Sequence, residues 1–284
     1  FGAQAAPLLK QLIADAAKVV PNADGGEEGQ STYEAWTENG KKDPPFGDLG
    51  GGSDHVTFYC HLGIPACGLA ASGCHGVSYH AIYDTRRWYR QVVGNDYASA
   101  LMVARMTNLI AARLAEADVL PFDPPRYAAD VRRHLEDLLE RAGQPDVGLH
   151  LDALNASIEA YEQAAASMWA GLMEALEADR LGEDELAQIN AILLRLERNW
   201  LDERGLPNQP WNRSLFAATD PDSGYAAWML PGLRSAVEGG EGAGLEHEKT
   251  RCQRAFSGLT NAIETIARAT GGKAAGSEAA TSVD

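Results

Sequence analysis

The run Tyr79-His80-Ala81-Ile82-Tyr83-Asp84 sets an imidazole beside a phenol, just after a glycine-rich turn. Neutral histidine is the commonest side-chain metal ligand and a frequent general base. On a loop it can project into a cleft. There the Tyr79 hydroxyl could donate to a developing oxyanion. One histidine cannot hold a catalytic zinc, which takes three protein ligands. The alternative reading is that Tyr79 and His80 only cap or pack their loop.

Leu49-Gly50-Gly51-Gly52-Ser53-Asp54 is a second candidate. A glycine loop entering a helix can present backbone N–H groups to an anion or a peptide carboxylate. The run lacks the Lys-Ser/Thr ending of a P-loop and the spacing of a Rossmann fingerprint, so it argues against nucleotide binding. Its alternative is a tight turn followed by a helix N-cap. No GxSxG elbow and no HExxH helix occurs. His55 and His61 are six apart and share no helix face. His75 falls in a loop, and His134, His150 and His247 are expected on solvated helix faces. Cys60, Cys67, Cys74 and Cys252 form no CxxC pair and are expected as buried or half-buried thiols, not as zinc ligands. Asn155-Ala-Ser157 and Asn212-Arg-Ser214 fit the glycosylation pattern, which arises readily by chance.

The elements that must position these residues follow from periodicity. Pro7 to Val20 places Leu8, Leu9, Leu12, Ile13, Ala16 and Val19 at helical spacing. Residues 39–52 are rich in Gly, Pro and Asp and read as loop. Ser53 or Asp54 can cap a short helix from Asp54 to Leu62, stopped by Gly63. Ile64 to Ala71 is short, apolar and glycine-bounded, as a buried strand would be. Gly73 to Tyr83 reads as loop, and Asp96 to Leu114 as helix through Tyr97, Leu101, Ala104, Leu109 and Leu114.

After Val119-Leu-Pro-Phe-Asp-Pro-Pro125 the texture turns helical: Arg126 to Arg141, about 149–178, Glu183 to Trp200, a shorter helix from Pro231, and about 245–269. Breaks fall at Gly143-Gln144-Pro145 and Leu181-Gly182. The stripe Leu186, Ile189, Leu193, Leu196 and Trp200 fits either a core or an interface. The tail from Gly271 has few apolar anchors and reads as disordered. The chain is therefore expected to divide into a mixed α/β part, 1–118, a helical bundle, 119–270, and a tail, 271–284.

The 284 residues carry 40 Asp plus Glu against 24 Lys plus Arg, a net charge of −16. That balance argues against nucleic acid, whose binding needs a basic face to displace counterions. No apolar run approaches the roughly 20 residues of a membrane helix.

In combination these residues resemble the glutamate carboxypeptidase II and transferrin receptor family. The resemblance is carried by Ser31-Thr-Tyr-Glu-Ala-Trp36, Leu49-Gly-Gly-Gly-Ser-Asp54, His61-Leu-Gly-Ile-Pro65 and Tyr79-His80-Ala-Ile-Tyr-Asp84. It continues through Val119-Leu-Pro-Phe-Asp123, Trp200-Leu-Asp202, Gly205-Leu-Pro207, Gly224-Tyr225 and Pro231-Gly232. Each motif is short; their order and gaps make the match. The resemblance implies the last part of a zinc-peptidase α/β/α sandwich, followed by an all-α helical dimerisation domain. His80 matches the family's last zinc ligand, and Tyr79 a tyrosine that contacts substrate and tetrahedral intermediate. Gly52 and Ser53 fall in the substrate-contacting loop, Ser53 where carboxypeptidase members have asparagine. Tyr225 matches a pocket tyrosine contributed by the helical domain.

The departures have consequences. Gly68 and Ala70 stand where carboxypeptidase members place substrate-holding arginines, and Gly224 replaces a lysine. Recognition of a free glutamate carboxylate needs fixed cations, so glutamate specificity is not expected. The family's other metal ligands and its catalytic glutamate precede these motifs, and the first 50 residues hold no equivalent series. Glu27-Glu28 sits in a turn and reads as solvated surface. The expectation is thus one zinc ligand in this chain out of a two-zinc site, with the rest supplied by an upstream part of the same protein, and Phe1 lying inside a longer chain. The parent would be a homodimeric exopeptidase acting on peptides, exported, periplasmic or membrane-anchored. The alternative is a non-catalytic, receptor-like scaffold of the same family.

Overall fold

The computed structural model describes residues 1–23, 29–72, 79–141, 150–207, 209–239 and 244–271. Cys74, His75, Glu27-Glu28, the break at Gly143-Gln144-Pro145 and the tail beyond Gly271 lie outside the described residues. The chain forms two compact units. One comprises Phe1–Ala5, Leu9–Gly47 and Cys67–Ala117; the other Ala6–Leu8, Asp48–Ala66 and Asp118–Asp284.

In the first unit, β1 (Gly2–Ala5) pairs antiparallel with β2 (Cys67–Ala70), setting Gln4 opposite Gly68 and Gly2 opposite Ala70. β2 was expected to be buried; instead Gly68 and Ala70 are exposed, while Cys67 and Leu69 are half-buried. Among the described residues its only ladder partner is β1. Helix α1 (Lys10–Ala17) buries Leu12, Ile13 and Ala16 and ends before Val19, which is 62% exposed rather than part of the apolar row. Helix α2 (Thr32–Trp36) starts on a full capping box: Ser31 Oγ accepts from Glu34 N–H, and the Glu34 carboxylate accepts from Ser31 N–H. Trp36 then meets Phe1 and Phe46 edge-to-face at 5.0 and 4.8 Å. Helix α3 (Arg86–Val92) is capped by Thr85.

Helix α4 (Ala98–Glu116) packs on α1 through Met102, Met106 and Ile110. The face expected inward is turned out, with Leu101 49% exposed. The helix carries apolar residues nearly all round, so periodicity alone did not single out the buried side.

The second unit is a helical bundle. After Asp48–Ala66 come α5 (Arg126–Arg141), α6 (Asp152–Glu177) and α7 (Glu183–Leu193). A 3-10 turn at Leu196–Trp200, a hairpin of β3 (Ala217–Thr219) and β4 (Ala227–Met229), α8 (Pro231–Glu238) and α9 (Leu245–Ala269) follow. Helices α6 and α9 form the main pair, burying Ile158, Tyr161, Ala165 and Leu172 against a row that includes Phe256, Leu259 and Ile263. Ile189, Leu193, Leu196 and Trp200 are fully buried, so that stripe is core within the unit. Trp200 is ringed by Tyr127, Phe216 and Phe256, with centroids 5.2–5.9 Å away.

His134, expected on a solvated face, is instead buried against Phe216, with Nε2 3.6 Å from the Asp48 carboxylate. His150 and His247 are exposed as expected. Among the described residues no helix is long and apolar enough to cross a membrane.

Candidate functional site

The glycine loop belongs to the second unit, where it lies on the β3–β4 hairpin. A Cβ added at Gly50 would stand 2.5 Å from the Ala218 carbonyl, and one at Gly51 2.7 Å from the Ala226 carbonyl. Only glycine permits this backbone-to-backbone approach. The Gly52 N–H donates to the Gly224 carbonyl at 3.3 Å. That N–H is therefore committed to the hairpin, not held out to an anion as the loop's composition suggested. Ser53 is exposed, and its carbonyl, not its hydroxyl, accepts from Val56 N–H to open the following helix. That helix runs as a π-type turn through Thr57–His61 and ends at Gly63, whose φ is 64°.

The hairpin turn presents Tyr225, which is 67% exposed. Asp220 organises the turn and was missed in the sequence. Its carboxylate accepts from the N–H groups of Asp222, Ser223, Tyr225 and Ala226 and from the Ser223 hydroxyl, at 2.5–3.1 Å. The Ser223 bonds lead the set that holds this carboxyl well below the usual carboxylate range. The signal was present as Asp220-Pro-Asp-Ser-Gly224, a run of turn formers headed by an Asx acceptor. So the structure brings Gly52, Ser53 and Tyr225 together.

Tyr79 and His80 lie in the first unit on a sharp turn. Their rings stack at 3.7 Å, and His80 takes a φ of 56°, a region in which histidine is over-represented among non-glycine residues. Both side chains are exposed, and the turn continues through Asp84 N–H to Ala81 O at 3.0 Å. Among the described residues no group of three or more His, Cys, Asp or Glu could hold a metal ion. The residues described here therefore do not by themselves make a zinc site; His80 offers one donor. Gly68 and Ala70, the positions without arginine, share the exposed face of β2. Cys60, Cys67 and Cys252 are free thiols.

Two other motifs are structural. Asp202 accepts from Arg204 Nη2 at 2.6 Å and from the buried Arg251 Nε at 2.9 Å. Arg251 also pairs with Glu248 at 2.9 Å and donates to the Gly205 carbonyl at 2.7 Å. Leu120 N–H donates to the Asn190 side chain at 2.9 Å, and Asp123 N–H to Leu8 O at 3.0 Å.

Residues 149–270 match the transferrin receptor-like dimerisation domain. The chain is 28% identical to the probable glutamate carboxypeptidase LAMP1 of Arabidopsis thaliana, over 84% of this chain and 34% of that protein. It is 25% identical to the aminopeptidase NAALADL1 of Rattus norvegicus, over 82% and 33% of the two chains. With transferrin receptor protein 2 of Rattus norvegicus it shares 26% identity over 96% and 35%. The chain belongs to the glutamate carboxypeptidase and transferrin receptor family. It spans about a third of the length of these relatives. Within this family frame, the α6–α9 pair lies inside the matched dimerisation domain, as do Glu197, Asp220 and Tyr225.

Proposed function

We propose that this chain is the C-terminal portion of a two-zinc exopeptidase. In this reading the first 118 residues are the end of an α/β peptidase domain, and residues 119–270 form the helical dimerisation domain. His80 is one zinc ligand, and the Tyr79 hydroxyl donates to the oxyanion that develops on the attacked carbonyl. Gly52, Ser53 and Tyr225 form walls of the peptide pocket. The remaining metal ligands and the proton-transferring carboxylate belong to parts of the protein outside this chain, and a second copy pairs through the helical domain. The reading rests above all on the glycine loop seated against the turn that carries Tyr225: one motif from each end of the sequence, matched to the family separately, meets the other in space. The names of the peptidase relatives agree with it.

Specificity for a terminal glutamate is not part of the proposal. Gly68, Ala70 and Gly224 supply no cation where a free carboxylate would need bidentate partners. The full-length protein should therefore hydrolyse peptides ending in neutral residues at least as well as those ending in glutamate, and should run as a dimer by light scattering. A strong preference for terminal glutamate, or a monomeric mass, contradicts these parts of the reading. A non-catalytic scaffold is the second reading, favoured by the similarity to transferrin receptor protein 2. Absence of further metal ligands and of a Glu-Glu pair in the upstream residues would decide for it.

A further inference from the structure

We propose that Glu197 is a positioning residue: held neutral in the core, it fixes Tyr59 and Cys60 and, through them, the glycine loop beside Tyr225. The inference deepens the proposed function and rests on the loop's assigned role there. Glu197 is 1% exposed on the 3-10 turn Leu196–Trp200. The Tyr127 hydroxyl donates to its Oε2. Its Oε1, the Tyr59 hydroxyl and the Trp200 indole N–H are all buried without a hydrogen-bond partner.

The surroundings disfavour a charge. Tyr59 and Cys60 face the carboxyl from the 57–61 turn, Tyr127 from α5 and Tyr161 from α6. Asp130 and Asp48 act on Tyr59 in the same cluster, and Asp123 acts on Tyr161. All of these are neutral or acidic. The nearby cations are engaged elsewhere: Arg126 pairs with Asp130 at 3.0 Å and Arg133 with Asp48 at 2.5 Å. Burial pushes the Glu197 carboxyl up to about 7. The two phenols partly offset the rise, although the approach of Tyr59 falls outside hydrogen-bond geometry.

The link to the loop is covalent and hydrogen-bonded. Cys60 adjoins Tyr59, and its thiol donates to the Gly50 carbonyl at 3.6 Å. Burial pushes that thiol up to about 12, so it stays a donor. The Cys60 carbonyl accepts from the N–H groups of Arg213 and Ser214 at 3.1 and 2.9 Å, and Leu215 N–H donates to Trp200 O at 2.9 Å. A charge on Glu197 would thus load the junction that holds the loop. The folded pKa lies above the ordinary carboxylate value. The contribution to stability is therefore complete below that value and is lost as pH rises through about 7.

Hydrogen exchange on the full-length protein between pH 5 and 8 tests this, comparing Glu197→Gln with wild type at each pH so that intrinsic exchange cancels. Amides of residues 49–62 in wild type should lose protection relative to the variant as pH passes about 7, on the order of tenfold. Tyr59→Phe keeps the core filled but removes an offsetting phenol, so its transition should move to higher pH. That variant carries the test alone if Glu197→Gln fails to fold. An unshifted transition in Tyr59→Phe, the same pH profile in wild type and Glu197→Gln, or a pH-dependent loss outside residues 49–62 would overturn the proposal. None of these readouts uses peptidase activity. A failed peptide assay with an intact transition therefore counts against the proposed function, not against the role of Glu197.

Discussion

Gly52 and Gly224 are joined by a single backbone hydrogen bond of 3.3 Å, which stitches the glycine loop to the residue preceding Tyr225. Gly52 has a φ of 86° and Gly224 one of 70°, so both ends of the stitch use backbone that a side chain would strain. The loop and the hairpin consequently act as one piece of scaffold.

The tightest point of that piece is Gly50. Replacing it with alanine puts a methyl group 2.5 Å from the Ala218 carbonyl, which cannot be relieved by rotating a side chain. Gly50→Ala should cost about 1–3 kcal/mol by displacing backbone. Urea unfolding of the variant checks this; a cost within about 0.5 kcal/mol of zero, the ordinary range for surface changes, would mean that loop and hairpin are not in contact.

Asp220 holds the other side. Asp220→Ala removes the acceptor for five donors in the turn before Tyr225. Limited proteolysis between residues 220 and 226 should become several-fold faster while the α6–α9 pair stays protected. Unchanged cleavage would show that the turn holds its shape without the carboxylate. Asp220→Asn should rescue only part of the loss, because an amide has one acceptor oxygen instead of two.

A buried ion network provides a pH test. Arg251 is only 3% exposed at its side chain and bridges Asp202 to Glu248. Arg251→Met should cost about 3–5 kcal/mol, because it strands two carboxylates largely out of water. Arg204, first, and then Arg251 hold the Asp202 carboxyl well below its ordinary value. A depressed folded pKa means that the stability is present above the ordinary carboxylate range and is lost as pH falls towards the folded value. Acid unfolding followed by circular dichroism should show a shallower acid dependence for Asp202→Asn than for wild type. Equal slopes would remove Asp202 from the account.

The helices of the second unit were legible because their apolar positions repeat strictly and their ends carry plain stop signals. Arg126 to Arg141 and Leu245 to Ala269 are the expected ranges. The Glu183 to Trp200 pattern breaks into a helix and a 3-10 turn, because it holds no Gly or Pro to mark the change. The β3–β4 strands, three residues each, are too short to show alternation. Helix α4 misled for the opposite reason, its apolar residues covering more than one face. His134 misled because its partner, Asp48, is remote in sequence. In the candidate site, Gly52, Ser53 and Tyr225 were legible only as motifs. Their meeting depends on the close approach of Gly50 and Gly51 to the hairpin, which no local pattern encodes.

The dimerisation domain makes a separate prediction. Trp200→Ala should cost about 3–5 kcal/mol by opening a cavity among Tyr127, Phe216 and Phe256. Because Trp200 is core in the unit, the dimer should be lost only together with the fold. Light scattering and circular dichroism on the same sample distinguish this from loss of a surface contact, which would give a folded monomer.

The central claim is that His80 is a zinc ligand of a peptidase, and the most direct measurement is zinc content alongside peptide hydrolysis for the full-length protein and its His80→Ala variant. Wild type should bind two zinc ions per chain and hydrolyse peptides, while the variant, with its fold intact by circular dichroism, should bind less zinc and lose activity by at least about a hundredfold, as expected when a group essential to transition-state stabilisation is removed. Equal zinc content and equal activity in the two proteins would contradict the assignment.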